Sequence, residues 1–259
     1  MMLLALALQA ATTANADDTR YKACLDLATS DPKAAENDAE RFRLSGGGPR
    51  ARQCLGLAYA QEEKWIDAAT AFNAAARDAD ELKDPRASRY WAQAGNAWLA
   101  AGEPIKAHAA LTTALTSGTL AGQDKGEALL DRSRALVAAG QPVAARTDID
   151  AALDEAPNDP LAWLLSATLA QRAGDLPRAQ GDIARALQRS PDDPSVQLEA
   201  GNIAALSGDE SGAKAAWQTV IKLSPGSAQA ASARKALAQF DAPLAPSAGP
   251  LIPTVPKAK

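Results

Sequence analysis

The 259-residue sequence has little of what catalytic sites are built from. Histidine occurs once, at His108, without a cluster of catalytic partners around it, and a single histidine excludes metal sites that need several. Gly46-Gly47-Gly48 is the one glycine run, and the Lys-Ser/Thr pair of a phosphate-binding loop does not follow it. We therefore predict no enzyme activity, no cofactor and no metal site for this chain.

Aromatic residues are also scarce, at 4% of the chain, although hydrophobic residues make up 47% and alanine recurs throughout. No stretch alternates apolar and polar residues with the period of a strand. Alanine favours helices and lets them approach closely, so the composition predicts an all-α protein with tightly packed helices. The net charge is only -4 and no basic stripe occurs, so we predict that nucleic acid is not a partner.

The N-terminus carries an apolar run, residues 3–14, that ends in the small-x-small sequence Ala14-Asn15-Ala16. This pattern is typical of a secretory signal peptide, although no lysine or arginine precedes the run. We predict that residues 1–16 are a signal peptide and that the protein is periplasmic. The alternative is a hydrophobic N-terminal helix of a cytoplasmic protein. No later apolar run is long enough to span a membrane, so we expect no membrane span after processing.

Only two cysteines occur, Cys24 and Cys54. In an exported protein they would meet an oxidising compartment, where we predict a disulfide that closes a loop of about 30 residues. The alternative is a pair of buried thiols that pack as small hydrophobic side chains.

The chain repeats itself with a period near 34 residues. Gly174 and Gly208 keep this offset, as do Pro191 and Pro225, and upstream the spacing stretches to about 38. The clearest units read Trp91…Gly95…Trp98…Ala107…Leu111…Ala114 and Leu55-Gly56…Tyr59…Ala68…Phe72…Ala75.

These units resemble the tetratricopeptide repeat, whose pattern is W-x2-L-G-x2-Y, then A-x3-F, A and a final P. The resemblance covers roughly residues 49–226. It implies a right-handed α-solenoid of stacked helix-turn-helix hairpins, with about 13 helices. Ser133 and Leu136 stand where the family has glycine and tyrosine, so the third unit departs from the pattern.

The repeat register predicts a division of the chain into capping and repeated segments. Residues 17–48 are expected to form an N-terminal capping hairpin, residues 227–240 a C-terminal capping helix, and residues 241–259 a proline-rich disordered tail. Five repeats are expected between the caps, at approximately 49–84, 88–121, 126–159, 160–193 and 194–226.

Glycine and proline mark the predicted turns within this register. Glycines at 102, 140, 174 and 208 fall where a helix must end in a left-handed residue. Small alanines such as Ala68 and Ala107 would let the two helices of a hairpin approach, and a large residue four positions later would fill the space between units.

The resemblance also implies that the first helices of the units line a concave groove that binds a protein or peptide. Leucines at 130, 164 and 198 share one slot and form a candidate apolar stripe; the alternative is that they only pack against their neighbours. The other predicted groove residues are Arg89, Gln93, Asn96, Asp131, Arg134, Thr168, Gln171 and Asn202.

We accordingly predict a non-catalytic interaction scaffold of the bacterial envelope, whose partner is a protein or peptide. Two alternative functions from other classes of protein remain. One is an auxiliary subunit of a cell-envelope or cell-wall enzyme complex, and the other is a self-assembling structural protein.

Overall fold

A computed structural model describes residues 17–240, in which every regular element is a helix. The prediction of an all-α protein with about 13 helices is confirmed for these residues, and the predicted signal peptide (1–16) and tail (241–259) lie outside them. None of the described helices is long and apolar enough to cross a bilayer. The helices are α1 (17–30), α2 (Pro32–Leu44), α3 (Gly48–Gln61), α4 (Trp65–Glu81), α5 (Ala87–Ala100), α6 (Pro104–Thr116), α7 (Gly122–Ala138), α8 (Pro142–Glu155), α9 (Pro160–Arg172), α10 (Leu176–Arg189), α11 (Pro194–Leu206), α12 (Glu210–Leu223) and α13 (Ala228–Phe240).

The turn after α5 shows how glycine ends the first helix of a hairpin. Gly102 has a φ of 73°, and its N–H donates to the carbonyl of Leu99 over 3.0 Å. The next N–H, of Glu103, donates to Trp98 over 2.9 Å, which completes a Schellman motif. Positive φ angles also occur at Gly140, Gly174 and Gly208, so the prediction of left-handed residues at all four positions is confirmed.

The first turns of the helices avoid unpaired backbone N–H groups, either with a proline, which has none, or with a side chain that accepts from them. Pro104 and Pro142 lie in the first turns of α6 and α8, where no intrahelical donor is needed. The Asp193 carboxylate caps α11 by accepting from the N–H groups of Ser195 and Val196, over 2.7 and 3.3 Å. Such caps typically contribute about 1 kcal/mol each.

Close packing within the hairpins depends on a glycine in the first helix. In three hairpins this glycine precedes a large residue of the second helix by sixteen positions: Gly56 and Phe72, Gly95 and Leu111, Gly201 and Trp217. A Cβ atom built on these glycines would lie only 2.6, 2.4 and 2.5 Å from the respective side chain. The large residue therefore occupies the volume that any other side chain on the first helix would need.

The described residues divide into two compact units between Leu169 and Ala170, unit 1 before this boundary and unit 2 after it. Within unit 1 each helix from α2 to α8 packs on the next, and α5 also packs on α7. Within unit 2 the helices from α10 to α13 pack in the same sequential way, and α11 also packs on α13.

Each unit has its own core of alanine and a few large side chains. In unit 1, Leu111 and Ile149 are at most 1% exposed, and burial of such a side chain contributes about 1.5–3 kcal/mol. In unit 2, Trp217 and Val220 pack with Ala213, Ala230 and Ala233.

The N-terminal hairpin is joined to the next helix by the two cysteines. Cys24 of α1 and Cys54 of α3 are completely buried, their Cα atoms are 6.1 Å apart and their sulfur atoms are at bonding distance. Lys64 adds a second link, because its Nζ lies 2.8 Å from Glu36 of α2 and 2.5 Å from Glu62. Hydrogen bonding with Glu62 and with Lys64 lowers the pKa of Glu36 to about 2.

Candidate functional site

A cleft of about 390 Å³ opens in unit 1 along three first helices, α3, α5 and α7. α5 and α7, which both border the cleft, also pack on each other. Its lining residues are Leu57, Ala60, Trp65, Phe72, Arg89, Ala92, Gln93, Asn96, Ala97, Leu120, Asp124, Glu127, Ala128 and Asp131.

One side of the cleft is apolar. Leu57 of α3 and the rings of Trp65 and Phe72 of α4 line it. Phe72 is buried against the core, whereas Leu57 and Trp65 are half-buried, so the leucine side chain and the indole contribute the accessible apolar surface. This side can accept an apolar side chain and exclude water from around it.

The other side is charged and comes mostly from α7. The guanidinium of Arg89 lies 2.8 Å from the carboxylate of Asp124. Asp131 accepts hydrogen bonds from Asn96 over 2.9 Å and from Arg134 over 3.1 Å. Glu127, between these two carboxylates, accepts a 2.9 Å hydrogen bond from the Gln123 amide.

A chain of hydrogen bonds links α1, α3 and α5 and ends at Gln93, which lines the cleft. Tyr21 of α1 donates to Gln53 of α3, and the Gln53 amide donates to the side-chain oxygen of Gln93 over 3.0 Å. This chain fixes the orientation of Gln93, whose own amide N–H groups remain available to a bound molecule.

Four of the predicted groove residues are brought together in this cleft: Arg89, Gln93, Asn96 and Asp131. Arg134 lies at the rim, half of its side chain is exposed, and it contacts the cleft only through Asp131. His108, the one histidine of the sequence, is half-buried on α6 and does not line the cleft.

The prediction that Leu130 belongs to an apolar stripe of the groove is wrong. Leu130 is 1% exposed and packs in a core cluster with Leu136 and Ile149. One residue corresponds to about 100° around a helix, so Leu130 turns inward where its neighbour Asp131 faces the cleft. The alternative that leucine in this slot packs against its neighbours holds here.

The remaining predicted residues do not line this cleft. Leu164 and Thr168 are half-buried on α9, and Gln171 lies in unit 2. In α11, Leu198 packs beside Trp217, and the side-chain oxygen of Asn202 accepts from the Trp217 indole over 3.2 Å. Asn202 therefore supports the core of unit 2.

The sequence reasoning missed Trp65, Asp124 and Glu127. Asp124, Glu127 and Asp131 are spaced i, i+3 and i+7, which places them on one face of α7. This spacing was a usable signal, but the third repeat was expected to begin at residue 126. In the structure α7 begins at Gly122, about one turn earlier.

Unit 2 has a cleft of its own, of about 410 Å³, between α10, α11 and α12. It contains neither Leu198 nor Asn202, and Asp209 is the one ionisable residue among those that line it. Its other lining residues are Gln180, Ile183, Ala184, Leu187, Gln197, Ala200, Ile203, Ala204, Ser207, Gly212, Ala215, Ala216 and Thr219.

Comparison with protein families matches two overlapping stretches to models of the tetratricopeptide repeat, residues 126–169 and residues 164–228. These stretches are tetratricopeptide repeats. The chain therefore has an all-α fold of the tetratricopeptide solenoid class, as the resemblance implied.

Solved structures share this fold over most of the chain. PilF of Pseudomonas aeruginosa has a TM-score of 0.69 at 15% identity, over 86% of this chain and 99% of that one. PilW, described as a widely conserved type IV pilus biogenesis factor, has a TM-score of 0.70 at 17% identity, over 86% and 98%. YrrB, described as a tetratricopeptide protein with an unusual peptide-binding site, has a TM-score of 0.53 at 18% identity, over 76% and 96%. No curated protein matches the sequence of this chain.

Proposed function

We propose that this chain is a non-catalytic interaction scaffold that binds a segment of a protein or peptide in the cleft of unit 1. The observation that carries the proposal is the composition of that cleft: apolar side chains from α3 and α4, amides from α5 and carboxylates from α7. Such a surface contacts side chains and backbone at once. The tetratricopeptide fold of YrrB, with its peptide-binding site, is a precedent within the fold.

Two matched pairs of substitutions test this function, one by crosslinking in intact cells and one by binding in solution. A photo-crosslinking side chain at Gln93 faces the cleft, whereas one at the exposed Thr113 of α6 faces away from it. We expect a partner to be captured from Gln93 and not from Thr113. Its binding to the purified chain should then be abolished by Ala92→Trp, which fills the cleft, and retained in Ala109→Trp. Capture from Thr113 alone, or equal binding by both tryptophan variants, would refute the cleft as the binding site.

We also propose that the scaffold works in the bacterial periplasm. The N-terminal run with its Ala14-Asn15-Ala16 site and the buried pair Cys24 and Cys54 support this location. The alternative location is the cytoplasm. N-terminal sequencing of the protein from cell fractions tests the proposal: a periplasmic chain that begins near Asp17 is expected, and a cytoplasmic chain that begins at Met1 contradicts it.

A second candidate function is an auxiliary subunit of an envelope machine, for which the fold shared with PilF and PilW is the favouring observation. The two functions differ in what accompanies the chain. An auxiliary subunit is expected to co-purify in fixed stoichiometry with an enzyme or assembly and to alter its activity. A scaffold of the first kind binds an isolated segment of its partner without any other component.

A further inference from the structure

Charge is unevenly distributed in the cleft of unit 1. Three carboxylates line it, Asp124, Glu127 and Asp131, against one cationic side chain, Arg89. Arg89 is already paired with Asp124, and Arg134 at the rim is paired with Asp131. Glu127 receives only the neutral amide of Gln123 among the described residues. With Arg134 at the rim counted, the three carboxylates exceed the arginines by one, and Glu127 is the carboxylate that neither arginine pairs with.

The amides between the two sides retain hydrogen-bonding capacity. Gln93 uses its side-chain oxygen to accept from Gln53, which leaves its N–H groups as donors. Asn96 uses its N–H group for Asp131, which leaves its oxygen as an acceptor. One donor and one acceptor on neighbouring turns of α5 match the N–H and C=O groups of an extended peptide backbone.

From these observations we infer the chemistry of the occupant: an extended peptide segment that carries a lysine or arginine close to an apolar side chain. The cation lies against Glu127, between Asp124 and Asp131, and the apolar side chain contacts Leu57 and Trp65. An anionic segment meets like charges on α7 and is disfavoured. This inference rests on the proposed function and adds the chemical class of the partner.

A selection from a random peptide library with the whole chain tests the inference. The library displays peptides of about ten residues, and the same selection is run on Ala92→Trp, with its cleft filled, so that peptides bound elsewhere are subtracted. We expect the subtracted set to be enriched in lysine or arginine within about three positions of a leucine, isoleucine, valine or aromatic residue. Enrichment in acidic or uncharged apolar peptides would overturn the inference and leave the proposed function intact. A subtracted set without any enriched peptide would overturn both.

A charge-neutralising pair then locates the cation. Glu127→Gln keeps the side-chain size and removes the charge, and Asp154→Asn removes an exposed charge of α8 outside the cleft. For a selected basic peptide we expect Glu127→Gln to weaken binding about fivefold, the effect of one solvent-exposed ion pair, and Asp154→Asn to leave it unchanged. Raising the salt concentration from about 0.05 to 0.5 M should weaken peptide binding by the wild-type chain more than peptide binding by Glu127→Gln. Equal affinities and equal salt dependences for wild type and Glu127→Gln would refute the role of this carboxylate.

Discussion

Units 1 and 2 repeat one hairpin design, yet their clefts differ in chemistry more than in size. The volumes are about 390 and 410 Å³. The cleft of unit 1 has four charged lining residues, whereas Asp209 is the one charged residue that lines the cleft of unit 2. The charged groups of the candidate binding site therefore lie in what unit 1 adds to the common design.

Unit 1 adds one helical turn at the start of α7. α7 has 17 residues and begins at Gly122, whereas its counterpart in unit 2, α11, has 13 and begins at Pro194. The extra turn carries Gln123 and Asp124, which hold Glu127 and Arg89 in place. Glu155 of α8 anchors that turn, because its carboxylate lies 2.7 Å from Lys125 and accepts from the N–H of Gly122.

The largest difference in stability between the units should come from the cysteines, which occur only in unit 1. Replacing both Cys24 and Cys54 by alanine is expected to cost about 3–4 kcal/mol of unfolding free energy, the chain-entropy value for a loop of about 30 residues. Chemical denaturation measures the loss, and hydrogen exchange should place it in α1 to α3. The variant should be insensitive to reductant, and wild type in reductant should match it; an unchanged wild type in reductant would contradict the bridge.

The second prediction tests whether hairpins of the two units pack by the same rule. Gly95→Ala in unit 1 and Gly201→Ala in unit 2 would each place a Cβ within 2.5 Å of Leu111 or Trp217. Each is expected to destabilise its own hairpin by about 1–3 kcal/mol, the usual cost of overpacking a core. Hydrogen exchange of the two hairpins, measured side by side, checks this.

Gly181 supplies the control for that pair. It lies inside α10, it is exposed, and a Cβ at this position would meet nothing within 4 Å. Gly181→Ala should therefore stabilise α10 by about 0.5–1 kcal/mol through backbone entropy. If all three substitutions stabilise their helices, helix propensity rather than packing would govern these positions.

The glycines that end helices show which features of the fold can be predicted from the sequence. Helix ends at Gly102 and Gly140 were predicted correctly, because left-handed φ angles and Schellman hydrogen bonds depend on a few neighbouring residues. Arg89, Gln93 and Asn96 were placed in the groove by repeat register, since α5 follows the family pattern closely.

The rest of the cleft was missed, because its geometry depends on an irregularity in the repeat. The spacing of about 38 residues upstream signalled an insertion but not its position, so the extra turn of α7 was missed. Leu130 was misplaced for a related reason: the rotation of α7 about its axis is fixed by packing against α8, which the repeat pattern does not encode.

The third prediction concerns acid, which should weaken unit 1 through the Glu36–Lys64 link. The pKa of Glu36 is lowered from 4.5 to about 2 in the folded chain, so its ionised form stabilises the fold above pH 4.5. That contribution is lost as the pH falls from about 4.5 towards 2. Glu36→Gln should remove this part of the acid dependence in denaturation curves measured across the range, whereas Glu81→Gln, on an exposed side chain at the end of α4, should retain it.

The smallest expected effect lies in a turn where unit 1 breaks the common design. After α3 the left-handed position is occupied by Glu63, with a φ of 57°, where later hairpins have glycine. A side chain with a Cβ costs about 1 kcal/mol in this conformation, so Glu63→Gly should stabilise the chain by about 0.5–1 kcal/mol. Gly102→Ala, at the equivalent turn after α5, should destabilise it by a similar amount. Chemical denaturation of both variants checks the opposite signs; a loss of stability in Glu63→Gly would mean that contacts of the glutamate side chain outweigh the backbone strain.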